Sequence, residues 1–161
     1  MNNYLLAIDP SLRSPGVALF LNRELIACDF FKTPTKLKRY DAMVHACKKV
    51  IEFMADNCNG FDSVHCVVEE QIRRGENDRM SMDDFVRLAS LSYMIIPSYL
   101  RENVTFVLPS TWKKGVEEGI MATRVYQREL SIGTKFELIA DVQVDRMHAI
   151  GIGRWYYANN K

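Results

Sequence analysis

The first thirty-one residues hold three apolar runs with only short connections between them: Tyr4-Leu5-Leu6-Ala7-Ile8, Val17-Ala18-Leu19-Phe20-Leu21 and Leu25 to Phe31. The first run stops at Asp9-Pro10-Ser11, the second follows Arg13-Ser14-Pro15-Gly16, and Asn22-Arg23-Glu24 divides the second from the third. Short apolar runs bounded by such residues read as strands and turns. Three consecutive strands joined this closely make an antiparallel meander.

The hydrophobic period then changes. Leu37, Tyr40, Val44, Cys47, Ile51 and Met54 recur three or four residues apart, the stripe of an amphipathic helix of about five turns that Asn59-Gly60 ends. Val64 to Val68 reads as a central strand followed by Glu69 and Glu70. Ser81-Met82-Asp83-Asp84 resembles a capping box, and Phe85, Leu88, Ala89, Ser92, Tyr93 and Ile96 continue it as a helix over residues 82–99 with an unusually apolar face. Val104 to Leu108 forms a fifth strand stopped by Pro109-Ser110, and residues 121–131 form a short polar helix. Val144, His148, Ile152, Trp155 and Tyr156 mark a terminal helix over residues 142–157 packed on the sheet. The order β-β-β-α-β-α-β-α-α, without repeat or linker, predicts one α/β domain over residues 1–161.

Composition agrees with that expectation and excludes several classes. With 48% hydrophobic and 25% charged residues, the chain can bury a core without disulfides or metals and is not disordered. Cys28, Cys47, Cys58 and Cys66 show no C-x-x-C spacing, so they read as reduced, mostly buried thiols. No run approaches the roughly 18 apolar residues that span a bilayer, and MNNYLLAIDP lacks the basic start of a signal peptide, which predicts a cytosolic protein with no membrane partner. The net charge of +1 creates no global field, so affinity for nucleic acid must come from local clusters. One such cluster is Lys32, Lys36, Lys38, Arg39, Lys48 and Lys49, set against the single acid Asp41.

Chemistry concentrates at strand ends. Asp9 follows a buried strand, where an ionised carboxylate is costly unless paired or bound to a metal. Glu69 and Glu70 follow the central strand, and because neighbouring strand residues face opposite sides, only one of them can face Asp9. Asp141, Asp145 and His148, spaced by four and three, lie near one helical face. Taken singly, Asp9 also reads as a turn-starting residue, Asp141 as a helix N-terminal acid and His148 as a core histidine. Carboxylates gathered from separate elements repel one another unless they share divalent cations, and oxygen ligands suit Mg²⁺ or Mn²⁺. Two such ions can bind both sides of a scissile phosphate, which is hydrolytic nuclease chemistry.

In order along the chain, these pieces resemble the RuvC-like Holliday junction resolvases of the RNase H-like superfamily, in a phage branch. Leu5-Leu6-Ala7-Ile8-Asp9-Pro10-Ser11 with Gly16 looks like the family's first strand, and Val67-Val68-Glu69-Glu70-Gln71 like its second acidic motif. Leu108-Pro109-Ser110-Thr111-Trp112-Lys113-Lys114 resembles its P-S-x-x-K-K stretch, and Asp145-Arg146-Met147-His148-Ala149-Ile150-Gly151-Ile152-Gly153 its terminal helix. The chain departs from the pattern at His148, where many members have Asp, and after Lys114, where the family's glycine-containing loop is missing.

The resemblance implies an RNase H-like fold whose five-stranded mixed sheet, three antiparallel strands and then parallel ones, is flanked by helices. It implies a structure-selective endonuclease that nicks Holliday junctions and other branched DNA with two Mg²⁺ or Mn²⁺ ions per site. Asp9, Glu69, Asp145 and His148 would form the catalytic and metal-binding set, with Glu69 preferred to Glu70. An imidazole at position 148 removes one negative charge, which favours Mn²⁺ or a role in orienting or protonating the water. Lys113, Lys114, Arg73, Arg74 and Arg79 would contact DNA. A homodimer acting in a bacterial or phage-infected cell would present two sites to a nearly two-fold symmetric junction. The competing classes are a catalytically inactive branched-DNA-binding protein of the same fold and a sugar-kinase or actin-type ATPase. The ATPases need a second phosphate loop and about twice this length.

Overall fold

Strand β1 (Tyr4–Asp9) is apolar toward both sides and buried along its whole length, so it can only be an interior strand covered on both faces. The computed structural model, which describes residues 3–38, 40–58, 64–71, 81–96, 100 and 102–160, places it at the centre of a five-stranded sheet. The other strands are β2 (Gly16–Leu21), β3 (Glu24–Phe30), β4 (Val64–Glu69) and β5 (Val104–Val107), in the order β3-β2-β1-β4-β5. β1–β2 and β2–β3 are antiparallel, whereas β1–β4 and β4–β5 are parallel, which is the expected mixed sheet.

The period of two assigns each strand residue to a face. Tyr4, Leu6 and Ile8 of β1 join Val64, Cys66 and Val68 of β4 on the face covered by helices α1 (Tyr40–Asn57) and α2 (Met82–Met94). Leu5, Ala7 and Val67 point the other way, toward α3 (Pro109–Lys113), α4 (Glu118–Ser131) and α5 (Val144–Asn159). With Ile8 opposite Val68, the register brings the next residues, Asp9 and Glu69, to the same edge and onto the α5 face.

Several expectations change. The α1 stripe is rotated: Ala42, Met43, Ala46, Val50, Phe53 and Met54 are buried, while Tyr40 is 66% exposed and Val44 and Ile51 also face outward. Both rows are apolar, and the one carrying Ala42 and Ala46 lets the helix approach the sheet more closely. Helix α2 ends at Met94 with a turn at residues 95 and 96, short of the expected 99. Pro109, expected only to stop β5, starts α3, where its fixed φ and missing N–H suit a first helical position. The Asn59-Gly60 stop lies outside the described residues. The four cysteines are free, two of them buried and two half-buried. No helix among the described residues is long and apolar enough to cross a membrane.

Helix α5 is buried almost all round between Met147 and Gly153, because it is wedged between the sheet and α4. Two glycines permit this: a Cβ at Gly153 would overlap the Phe20 ring, and one at Gly151 would press into Trp112. The fully buried Glu129 of α4 is matched by Arg154, whose Nε and Nη2 donate to its two oxygens at 2.8 and 2.7 Å. Arg154 also donates to the Arg23 carbonyl, tying α4 and α5 to the β2–β3 turn. Charge, hydrogen bonds and chain reversal are satisfied together, which a lone buried carboxylate would not allow.

Candidate active site

The strand ends, the C-terminal end of α3, the start of α4 and the first turn of α5 surround a cavity of about 420 Å³ lined by Asp9, Glu69, Lys113, Glu118, Asp145 and His148, with residues 10–14 along one wall. Asp9 is 6% exposed, Glu69 4% and His148 2%. Three of the four residues expected to do chemistry are therefore withdrawn from water, and Asp145 is half-buried beside them. Glu70 lies past the end of β4, half-exposed, and its backbone N–H donates to the Val107 carbonyl. The alternation of the strand thus selects Glu69. Asp141 is exposed and ion-paired with Arg146, outside the cavity.

Each acidic group has its own partner. The Trp112 indole N–H donates to Glu69 Oε2 at 2.6 Å, and Lys113 Nζ lies 3.3 Å from both Glu69 oxygens. Ser14 Oγ–H donates to Asp145 Oδ2 at 2.5 Å, and Gln143 Nε2 donates to the same oxygen at 3.1 Å. The Gln143 side chain also accepts the Arg146 N–H, capping α5 and fixing the direction in which Asp145 leaves the helix.

His148 lies between two acceptors. Its Nδ1 is 3.2 Å from Asp9 Oδ2 and its Nε2 is 3.2 Å from the Glu118 carbonyl. Only the imidazolium donates at both nitrogens, so the surroundings favour the charged ring. Burial, the largest single influence, lowers the His148 pKa, but the hydrogen bond and charge of Asp9 and the Glu118 carbonyl outweigh it, and the net shift is upward. In this arrangement the ring is a donor to Asp9, and ligation of a metal would require loss of a proton.

Glu69 is displaced in the opposite sense from an ordinary surface acid. Burial, followed by the charge of Asp9, raises its pKa from 4.5 to about 7, against the lowering effects of Lys113 and Trp112. A buried carboxyl group that resists ionisation beside a second carboxylate is what a divalent cation would relieve. Among the described residues, however, no three His, Cys, Asp or Glu side chains stand close enough to share one ion. The donors fit such a cation by chemistry, being rich in carboxylate oxygen. They are held here as separate pairs, with Lys113 as the local cation.

The expected DNA contacts fall into three groups. Lys113 is only 8% exposed and belongs to the acidic cluster. Lys114 is exposed and left-handed at φ 50°, at the end of α3. Arg73, Arg74 and Arg79 lie outside the described residues. Arg13, which the sequence did not single out, is exposed on the cavity wall. Trp112 and Ser14 were also not singled out; the only signal for them was adjacency, to Lys113 and to the strand-end turn respectively.

Gly16 has a physical reason to be glycine. It pairs with Asp9, and a Cβ there would overlap the Asp145 carbonyl, so β2 and α5 touch backbone to backbone behind the site. Because backbone cannot rotate away as a side chain can, Gly16→Ala is expected to destabilise the protein by about 3 kcal/mol. Urea denaturation measures this, and a change below about 0.5 kcal/mol would contradict the packing described.

No protein-family model matches this chain, and no curated protein matches it in sequence. Solved structures do. RuvC of Thermus thermophilus in complex with a Holliday junction substrate superposes with a TM-score of 0.60 over 98% of this chain and 96% of that one, at 13% identity. Another Thermus thermophilus RuvC structure gives 0.58 over 97% and 96%, at 14% identity. At these identities the likeness speaks for architecture: the chain has the RuvC-type, RNase H-like fold.

Proposed function

We propose that this chain is a divalent-metal-dependent, structure-selective endonuclease that nicks Holliday junctions and other branched DNA. The observation that carries the reading is the meeting of Asp9 and Glu69, buried and in register at the ends of neighbouring strands, with a Glu69 pKa raised to about 7. The fold it shares with a RuvC bound to a Holliday junction supports the substrate class.

In this reading Asp9, Glu69 and Asp145 hold two Mg²⁺ or Mn²⁺ ions, which when bound supply an activated water and stabilise the departing 3′ oxygen. His148 keeps Asp9 oriented and carries a proton at the cavity wall; it is either a ligand, once neutral, or a proton carrier. Arg13, exposed on the cavity wall, and Lys114, exposed at the end of α3, are the cations proposed to meet phosphates, with Arg73, Arg74 and Arg79 as further candidates. Lys113 reaches a phosphate only by leaving Glu69. The exposed Val86 and Tyr93 of α2 favour a homodimer, whose two sites would match paired nicks. The setting would be the cytoplasm of a bacterial or phage-infected cell.

The second reading, a junction-binding protein without cleavage, is favoured by one feature: Lys113 neutralises Glu69 where a catalytic ion is required.

Both readings predict selective binding, which a gel shift in EDTA measures. The four-way junction is expected to bind at least about tenfold more tightly than linear duplex of the same sequence. Its affinity should fall with salt at a log–log slope of about −0.9 per phosphate contacted. Equal affinity for junction and duplex would contradict structure selectivity. Sedimentation near 18.6 kDa, in place of twice that mass, would contradict the dimer.

A further inference from the structure

Trp112 connects the two halves of the acidic site. Its indole N–H makes the shortest hydrogen bond to Glu69, at 2.6 Å. Its ring meets the His148 ring edge-on, with centroids 5.4 Å apart and planes at 78°, and Lys113 Nζ sits 5.1 Å above it. Behind it lies Gly151, where even a methyl group would collide with the indole. Helix α5 therefore holds the ring, and the ring holds the carboxylate. The residue is 6% exposed, so water does not compete for the N–H.

The two donors to Glu69 differ in kind. The Lys113 ammonium is a mobile point charge that any incoming cation would repel. An indole N–H is a donor only and does not titrate, so it keeps its hold whether or not Lys113 stays. Residues that ligate metals are commonly oriented by such outer partners, and losing one weakens metal binding about 10–100-fold.

We propose that Trp112 is a positioning residue for Glu69: it pins Oε2 and leaves Oε1 as the donor that a divalent cation takes over from Lys113. This rests on the reading of Glu69 as a metal donor.

The test is Mn²⁺ binding by calorimetry on the full chain without DNA, comparing wild type with Trp112→Phe and Trp155→Phe. Trp112→Phe keeps an aromatic ring and loses the N–H, and it is expected to weaken Mn²⁺ binding about 10–100-fold while circular dichroism stays that of the wild type. Trp155→Phe is expected to bind Mn²⁺ normally and leaves Trp112 as the sole tryptophan, since the chain has two. Its emission is then expected to shift on addition of Mg²⁺, a diamagnetic ion that does not quench by itself. Replacing Trp112 in that background by benzothienylalanine, an isostere with sulfur in place of the N–H, should reproduce the weakened binding. Mn²⁺ affinity in Trp112→Phe within twofold of wild type would overturn the proposal. So would a sole-tryptophan emission that ignores Mg²⁺ while calorimetry shows the ion binding, an outcome that decides the matter even if Trp112→Phe does not fold. Wild type that binds no Mn²⁺ at all would overturn the nuclease reading and the Trp112 role with it.

Discussion

Asp9→Asn is expected to reduce junction cleavage by at least about 10³-fold while changing junction affinity in EDTA by less than about threefold. The magnitude follows from the role: a metal donor at the reacting phosphate supports several kcal/mol of transition-state stabilisation, and about 4 kcal/mol is three powers of ten. Binding survives because Asn is nearly isosteric, retains an oxygen toward His148 Nδ1, and removes a negative charge from a surface that meets phosphates. The substitution also removes the charge that, after burial, does most to raise the Glu69 pKa, so Glu69 should titrate lower in the variant. Gel shift and cleavage of one labelled junction separate the two effects. Equal loss of both would mean that Asp9 supports the fold, and retained cleavage would remove it from the chemistry.

Glu69→Gln is expected to make the metal-free protein more stable at pH 8 while abolishing its response to Mg²⁺. With a folded-state pKa of about 7 against an ordinary 4.5, the folded form binds the Glu69 proton more tightly than the unfolded chain. The contribution of Glu69 to stability is therefore fully present below about pH 4.5 and lost as pH rises toward 7. At 1.36 kcal/mol per unit the loss is about 3 kcal/mol, or about 6–12 °C in Tm for a chain of this length. Gln, always neutral, does not incur it. Thermal unfolding in EDTA at pH 5 and pH 8, repeated with Mg²⁺, checks each part: wild type should weaken toward pH 8 and recover with Mg²⁺, whereas the variant should keep only the part of that weakening that comes from the raised His148 pKa and should not recover. A variant less stable than wild type at pH 8 would show that the pair with Lys113 outweighs burial and the Asp9 charge.

The fold and the site were legible to different degrees, for physical reasons. Strands β1, β2 and β4 are buried on both faces, so they read as continuous apolar runs bounded by Asp-Pro, Gly and Glu-Glu, and their positions followed directly. The choice between Glu69 and Glu70 was implicit in the two-residue period, given that β4 lies parallel to β1. The face of α1 was misread because two adjacent rows are apolar, and Ala42 and Ala46 give a weak signal despite their burial. Helix α3 was missed because Pro109 reads equally as a strand stop and as a helix start. Lys113 was read as a DNA contact because sequence shows its charge and not its burial, which depends on α3 turning Trp112 and Lys113 inward together. The ion pair of Glu129 and Arg154, twenty-five residues apart, had no local signature at all.

The central claim, metal-dependent cutting selective for branched DNA, is tested most directly by incubating an end-labelled four-way junction and a linear duplex of the same sequence with Mg²⁺, Mn²⁺ or EDTA. Paired nicks in the junction with either metal, absent in the duplex and abolished by EDTA, are the predicted result. An intact junction with both metals, under conditions where the gel shift shows it bound, would contradict the claim and leave a protein that recognises branched DNA without cutting it.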